Sequence, residues 1–236
     1  MSKRVAIVQS CYVPWKGYFD LINQVDHFLI YDDAEYSKNT WRNRNRIKTA
    51  NGTQWLTIPV LYSSNSRQRI DDVEVSDARW AHRHWKTIRQ NYVRAPHFDG
   101  YEAALAELYL QIAERRLSAI NRIFIDHLCS LLGITTTISW TSDVFSGDVT
   151  GTRRLVELCA AVGADSYLSG PAAQAYLDLA QFEQAGIEVV WMNYDGYPTY
   201  PQLHPPFEHA VTTLDLLFSV GSEAPRYMKS FNLKAP

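Results

Sequence analysis

Cysteine is scarce, and the thiols present, Cys11, Cys129 and Cys159, are an odd set with no CxxC or paired spacing. A disulfide framework and a thiolate zinc site are not suggested, which fits a reducing compartment. Long apolar runs are also missing. Val5-Ala6-Ile7-Val8 is interrupted by Gln9 and is too short for a signal-peptide core or a bilayer span, so the chain is expected to be soluble and cytoplasmic, with no membrane partner. Neither sign of charge dominates: 23 Lys and Arg stand against 25 Asp and Glu, a formal net charge of −2. Non-specific nucleic-acid affinity comes from clustered, uncompensated cations, so DNA is not an expected partner. No GxGxxG, GxxxxGKS, GxxxxGKT, HExxH or GxSxG string occurs. Dinucleotide-binding, P-loop, zinc-protease and serine-nucleophile readings are therefore disfavoured, no built-in metal is expected, and the cofactor is unknown.

What the chain does have is size and aromatic mass. Its 236 residues can bury a core unaided, and 7 Trp, 14 Tyr and 9 Phe bring bulk with polar tips, suited to core and pocket alike. Val5 to Val8 reads as a buried strand. A helix is expected from Trp15 to about Val25, with Trp15, Tyr18, Phe19 and Ile22 at helical spacing, and His27 to Tyr31 reads as a second buried strand ending in Asp32-Asp33. In such a β-α-β unit the strands are parallel, so Gln9 to Tyr12 and Asp32 to Tyr36 emerge at one sheet edge, where open α/β sheets hold ligands.

Asn51-Gly52 signals a hairpin joining Arg46–Thr49 to Gln54–Ile58. Residues 63–77 read as a polar, mobile loop. From Ala78 a helix carries Trp80, His84, Ile88 and Tyr92 as one stripe, which makes His84 a core residue, and two more helices fill 100–133 with Gly133 as C-cap. Further on come a strand at Thr135–Trp140, a helix at Gly151–Val162, a strand at Ser166–Ser169, a helix from Pro171 to Gln184 and a strand at Ile187–Met192. The Tyr- and Pro-rich tail after Asp195 is expected to wrap the surface. The fold expected is α/β: a single doubly wound, mostly parallel sheet in one domain spanning 1–236, with a helical insertion at about 78–133.

The densest polar cluster runs from Asp32-Asp33 through Tyr36, Ser37 and Lys38 to Trp41-x-Asn43-Arg44-Asn45-Arg46-x-Lys48. Paired carboxylates at a strand end can bind a metal, a ribose or an amine, or act as a general base; capping of local N–H groups is the structural alternative. Arg42, Arg44, Arg46 and Lys48 alternate with Trp41, Asn43, Asn45 and Ile47, so one face should be basic and the other should carry Asn and Trp. Such a face suits the phosphates of a nucleotide or nucleotide sugar, or an RNA 3′ end. Gln9, Tyr12 and Trp15 surround the first helix N-terminus, where a phosphate or carboxylate is favoured. Ser169 places a hydroxyl at the same edge.

Gln9-x-x-Tyr12-x-Pro14-Trp15-x-Gly17-Tyr18-Phe19-Asp20, the Asp32 and Trp41 strings just quoted, Trp55-Leu56-Thr57-Ile58-Pro59-Val60, Tyr167-Leu168-Ser169-Gly170-x-Ala172 and Leu214-Asp215-Leu216-Leu217-Phe218-x-x-Gly221 together resemble the WbqC-like family of bacterial proteins, over nearly the whole chain. The family usually shows Gln-Pro-Asn-Tyr where Gln9-Ser10-Cys11-Tyr12 stands here. Members in surface-polysaccharide gene clusters imply modification of a nucleotide-linked amino sugar. The function expected is a transferase placing an acyl or aminoacyl group on an amine, with a small-molecule substrate such as a nucleotide-linked sugar and an aminoacyl-tRNA among the candidate donors. Asp32, Asp33 and Tyr36 are the catalytic candidates; Gln9, Tyr12, Trp15, Lys38, Asn43, Arg44, Asn45, Lys48 and Ser169 are the binding candidates. An ATP-dependent ligase and a non-catalytic binding module in polysaccharide assembly are the alternatives.

Overall fold

The computed structural model describes residues 2–63 and 67–233. Strand β1 (Arg4–Val8) leads through a buried turn into helix α1 (Lys16–Asn23) and then β2 (His27–Ile30). The helix starts one residue later than expected because Trp15 is extended and occupies the N-cap. β3 (Arg44–Thr49) and β4 (Gly52–Thr57) form the antiparallel hairpin signalled by Asn51-Gly52, closed at Thr49–Gly52 with Gly52 at φ 107°. β5 (Val60–Leu61) pairs with β6 (Glu74–Val75), and helices α2 (Trp80–Tyr92), α3 (Phe98–Gln111) and α4 (Leu117–Leu132) follow. The chain continues through β7 (Thr137–Trp140), α5 (Thr141–Val144), α6 (Gly151–Ala161), β8 (Ser166–Ser169), α7 (Leu179–Gln184), β9 (Glu188–Trp191), α8 (Thr213–Val220) and α9 (Lys229–Leu233).

Five strands form one parallel sheet in the order β7-β2-β1-β8-β9. Alternate residues feed two cores: Ala6, Phe28, Ile30 and Leu168 enter the larger, with α1 and α4, while Val5, Ile7, Leu29 and Tyr167 meet Leu158 and Cys159 of α6 and Phe182 of α7. Strands buried on both faces must be apolar at nearly every position, which is why these runs show no polar alternation. The chain moves outward from β1 through β2 to β7, then crosses over to β8 and β9, so the sheet is doubly wound. Among the described residues no helix is long and apolar enough to cross a membrane.

Three expectations are corrected. Residues 64–66 of the 63–77 stretch lie outside the described residues, but the rest is not a bare loop. Ile70, Val73 and Val75 are buried, and the backbone bonds Tyr36 N–H to Gln68 O at 2.8 Å and Ile70 N–H to Ala34 O at 3.0 Å tie it down. The helix expected from Pro171 to Gln184 breaks into a 3-10 turn (Pro171–Ala175) and α7, because Asp178 accepts from Ala180 N–H and starts a new helix. The tail does more than wrap. Its α8 is buried at every residue, with Leu214, Leu216, Leu217 and Phe218 inside the main core and Thr212 as N-cap.

Candidate functional site

β1 and β8 are the strands at which the winding direction reverses. They pair only at Arg4–Ser166 and Val5–Tyr167, whereas β1 follows β2 as far as Val8–Ile30. A cleft of about 670 Å³ opens beyond, with Ile7, Val8 and Gln9 on the β1 side and Tyr167, Ser169 and Gly170 on the β8 side. Loops leaving adjacent strands in opposite directions leave such a crevice, the place where doubly wound sheets bind ligands.

The cleft is cationic and aromatic. Arg42 lies in its lining; its Nη1–H donates to Gln9 Oε1, and its Nε has no partner among the described residues. Gly151 and Thr152 bring the start of α6 to the wall, and no side chain caps that helix end, so its first N–H groups are available to an anion. Tyr18, Tyr31, Tyr176 and Tyr194 complete the walls, Tyr176 being 73% exposed at the rim. Ser169 lines the cleft although it is almost buried, and its hydroxyl donates to Tyr167 Oη at 3.4 Å.

The carboxylates have other partners. Asp32 is fully buried: Oδ1 accepts from Ser10 N–H at 2.8 Å and Oδ2 from the Ser118 hydroxyl at 2.5 Å, which itself accepts from the Trp140 indole at 3.1 Å. Burial raises its pKa above the ordinary carboxylate value, opposed by the Ser10 and Ser118 bonds. Asp33 pairs with the Arg154 guanidinium and accepts from Thr141 Oγ1–H at 2.6 Å. Neither lines the cleft; Asp32 instead fixes the turn that presents Gln9. Tyr36 is buried, packed edge-on to Tyr62, and burial pushes its hydroxyl up to about 12. It too lies outside the cleft lining.

The same turn is held from every side. Asn121 Nδ2–H donates to Ser10 Oγ at 2.8 Å and to Arg42 O at 2.9 Å; Tyr18 Oη–H donates to Gln9 O at 3.2 Å; Tyr12 N–H donates to Trp41 O at 2.9 Å. Asn45 Nδ2–H reaches Tyr12 O and Val13 O at 3.2 and 2.8 Å, holding Val13 at φ 35°, a strained conformation for a β-branched residue. Asn43 clamps Ile58. The Tyr12 ring faces the core, where its hydroxyl meets His84 Nδ1 at 2.9 Å and Tyr109 Oη at 2.8 Å, so Tyr12 contributes backbone to the turn and no group to the cleft.

The hairpin corrects the expected alternation. Asn43, Asn45 and Ile47 are buried as one face, but Trp41 sits beside Arg46, Arg42 turns to the cleft, and Lys48 is buried, its backbone N–H donating to Tyr92 Oη at 2.9 Å. Of the four cations only Arg44 and Arg46, both half-buried, stay together beside the exposed indoles of Trp41 and Trp55. Lys38 is exposed and also apart from the cleft lining. Trp15 packs against Tyr194 and Tyr197, ring centroids 5.4 and 5.6 Å away, and lines a second, apolar slot of about 250 Å³ with Cys11, Trp41, Asn45 and His209. Tyr18 borders slot and cleft alike. Burial and the Lys16 charge hold the His209 imidazole below its ordinary pKa, which keeps it neutral at neutral pH.

In the sequence Arg42 reads as one of four cations on the basic face and Tyr18 as part of the first helix, neither as a named binding residue, while Tyr194, Gly151, Thr152 and His209 carry no site reading. The glycine opening a helix after a strand was a readable sign; nothing local marks the others. No group of three or more His, Cys, Asp or Glu among the described residues could hold a metal ion.

Comparison with known proteins agrees with the architecture's reach along the chain. The WbqC-like protein family matches residues 9–227. A Mycobacterium tuberculosis (strain ATCC 25618 / H37Rv) protein, "Uncharacterized protein Rv1507c", is 47% identical over 229 residues, covering 96% of this chain and 98% of its own. No solved structure matches. With the match running from Gln9 past α8, the chain belongs to the WbqC-like protein family.

Proposed function

We propose that this protein is a transferase that places an acyl or aminoacyl group on the amine of a nucleotide-linked amino sugar, in the assembly of a surface polysaccharide in the cytoplasm. The observation that carries the reading is the cleft at the winding reversal, where Arg42, Gln9 and the uncapped start of α6 converge. A guanidinium and free helix N–H groups together favour a phosphate-bearing ligand. Tyr176 and Tyr31 offer ring faces to its base. The amine must attack as the neutral form, and His209, neutral and bordering the adjoining slot, supplies a proton acceptor there. Asp32 and Asp33 act on this reading as positioning residues that hold the turn and the Arg154 side.

The test is thermal stabilisation by nucleotide amino sugars, followed by mass spectrometry of the sugar after incubation with acyl and aminoacyl donors. A ligand at 100 times its dissociation constant stabilises by about 2.7 kcal/mol. Stabilisation by the nucleotide sugar, abolished by Arg42→Ala, supports the reading, as does an acylated sugar product. Stabilisation by ATP alone, with pyrophosphate release, replaces it with the ligase reading.

A further inference from the structure

The solvent side of the β3–β4 hairpin carries two indoles, Trp41 (43% exposed) and Trp55 (42%), with ring centroids 5.4 Å apart and planes tilted by 38°. The Arg44 guanidinium lies 4.2 Å from the Trp55 ring centre, and that of Arg46 lies 5.6 Å from Trp55 and 5.9 Å from Trp41. The register creates this cluster: Arg46 stands directly opposite Trp55, and Arg44 is two residues along on the same face. Neither arginine joins an ion pair among the described residues, and the Nε of each has no hydrogen-bond partner there. In a chain with 25 acidic residues, two adjacent guanidiniums left without a carboxylate and two adjacent indoles left in water call for a ligand that is both anionic and flat. Trp41 also forms part of the apolar slot, so this face runs continuously to Tyr18 and the cleft.

We propose that this face is the docking platform for the unpaired end of an RNA strand, bases stacking on Trp41 and Trp55 and phosphates meeting Arg44 and Arg46. Alternating π faces and anions are what a single strand presents, and stacking platforms flanked by arginine recognise it with little dependence on sequence. A phosphopeptide would match the arginines and leave the indoles without faces to stack on. The proposal rests on the transferase reading and names its donor: an aminoacyl group esterified to the terminal ribose, threaded through the slot toward the amine in the cleft. The amine nitrogen bonds to the ester carbonyl carbon, the carbon–oxygen ester bond breaks, and the ribose oxygen leaves with the proton the amine gives up. The products are an amide and a free RNA end, with no oxidant or reductant.

Fluorescence anisotropy of the full chain with a labelled single-stranded RNA of about eight nucleotides tests the platform, with the same strand closed into a blunt duplex as competitor. The single strand binds and the duplex competes poorly. Trp55→Ala, a surface change checked for folding by circular dichroism, weakens binding on the order of tenfold. Two phosphate contacts make affinity fall about sevenfold as salt rises from roughly 50 to 200 mM. Arg89→Ala, which breaks an exposed pair with Glu102 between α2 and α3 and touches neither indole, leaves binding unchanged. Absence of binding, or equal binding by Trp55→Ala, overturns the proposal. So does a concentration-dependent dimer in sedimentation that Trp55→Ala dissolves, because the face would then belong to a second copy. Nucleotide-sugar stabilisation through Arg42 is read separately in Trp55→Ala, so loss of one reading leaves the other measurable.

Discussion

Protonation of His84 should loosen the turn that presents Gln9, and its size can be worked out. His84 is buried, and its Nε2–H donates to Thr57 O at 3.1 Å. Nδ1 is therefore the acceptor for the Tyr12 hydroxyl, which in turn accepts from Tyr109. Burial, and then the charge of Arg83 against the help of the Thr57 bond, lowers the imidazole pKa from 6.5 to about 4. The native state thus refuses a proton that the unfolded chain accepts below 6.5, so stability is intact at neutral pH and is lost as pH falls from 6.5 toward about 4. At about pH 5 the loss from this one group is about 2 kcal/mol relative to about pH 7.5. Denaturant unfolding followed by circular dichroism at both pH values, in the native protein and in His84→Gln, reads it as a difference of differences. That subtraction removes the opposing contribution of Asp32 and Asp215, whose raised pKa values make the native state bind protons more readily in acid. If His84→Gln loses as much stability on acidification as the native protein, the reasoning about the tautomer and its burial is wrong.

Other outcomes follow from the same geometry. Asp33→Ala leaves the Arg154 guanidinium, 9% exposed, without its carboxylate, and unfolding measurements should show a loss of about 3–5 kcal/mol. Asp32→Ala orphans the Ser10 N–H and should cost at least about 1–3 kcal/mol, measurable by the same method, with ligand affinity falling only as far as the turn is displaced. Gly17→Ala would place a Cβ 2.3 Å from the Trp15 ring, so the indole must move; the expected result is a destabilisation of about 1–3 kcal/mol, partly offset by about 1 kcal/mol of helix propensity, and an altered near-ultraviolet signal. Arg42→Ala should leave the melting temperature of the unliganded protein nearly unchanged. A phosphate-bearing ligand that stabilises the native protein by about 2.7 kcal/mol should stabilise this variant by a few tenths if affinity drops about a hundredfold.

Much of this architecture is written in short stretches of chain. The runs at Val5–Val8 and His27–Ile30, the Asn51-Gly52 turn, the Trp80-His84-Ile88-Tyr92 stripe and the Gly133 cap at φ 72° each act over a few residues, through dihedral preference and side-chain period, so they are legible without knowing the fold. The parallel sheet follows from the β-α-β order of such elements. The placement of Gln9 and Ser169 at one sheet edge was legible for the same reason. Which of the four cations of the basic segment joins them in the cleft was not. Arg42 reaches Gln9 across 33 residues, Ser118 reaches Asp32 across 86, and Arg154 reaches Asp33 across 121, distances over which no periodicity survives. Those pairings decide that the two prominent carboxylates stabilise the frame while a less conspicuous arginine meets the open space. A charge's role depends on what desolvates it and what opposes it, and both are properties of the packed molecule. The buried α8, drawn from a tail rich in Pro and Tyr, makes the same point: its leucines become core only because α3 and β3 stand ready to cover them.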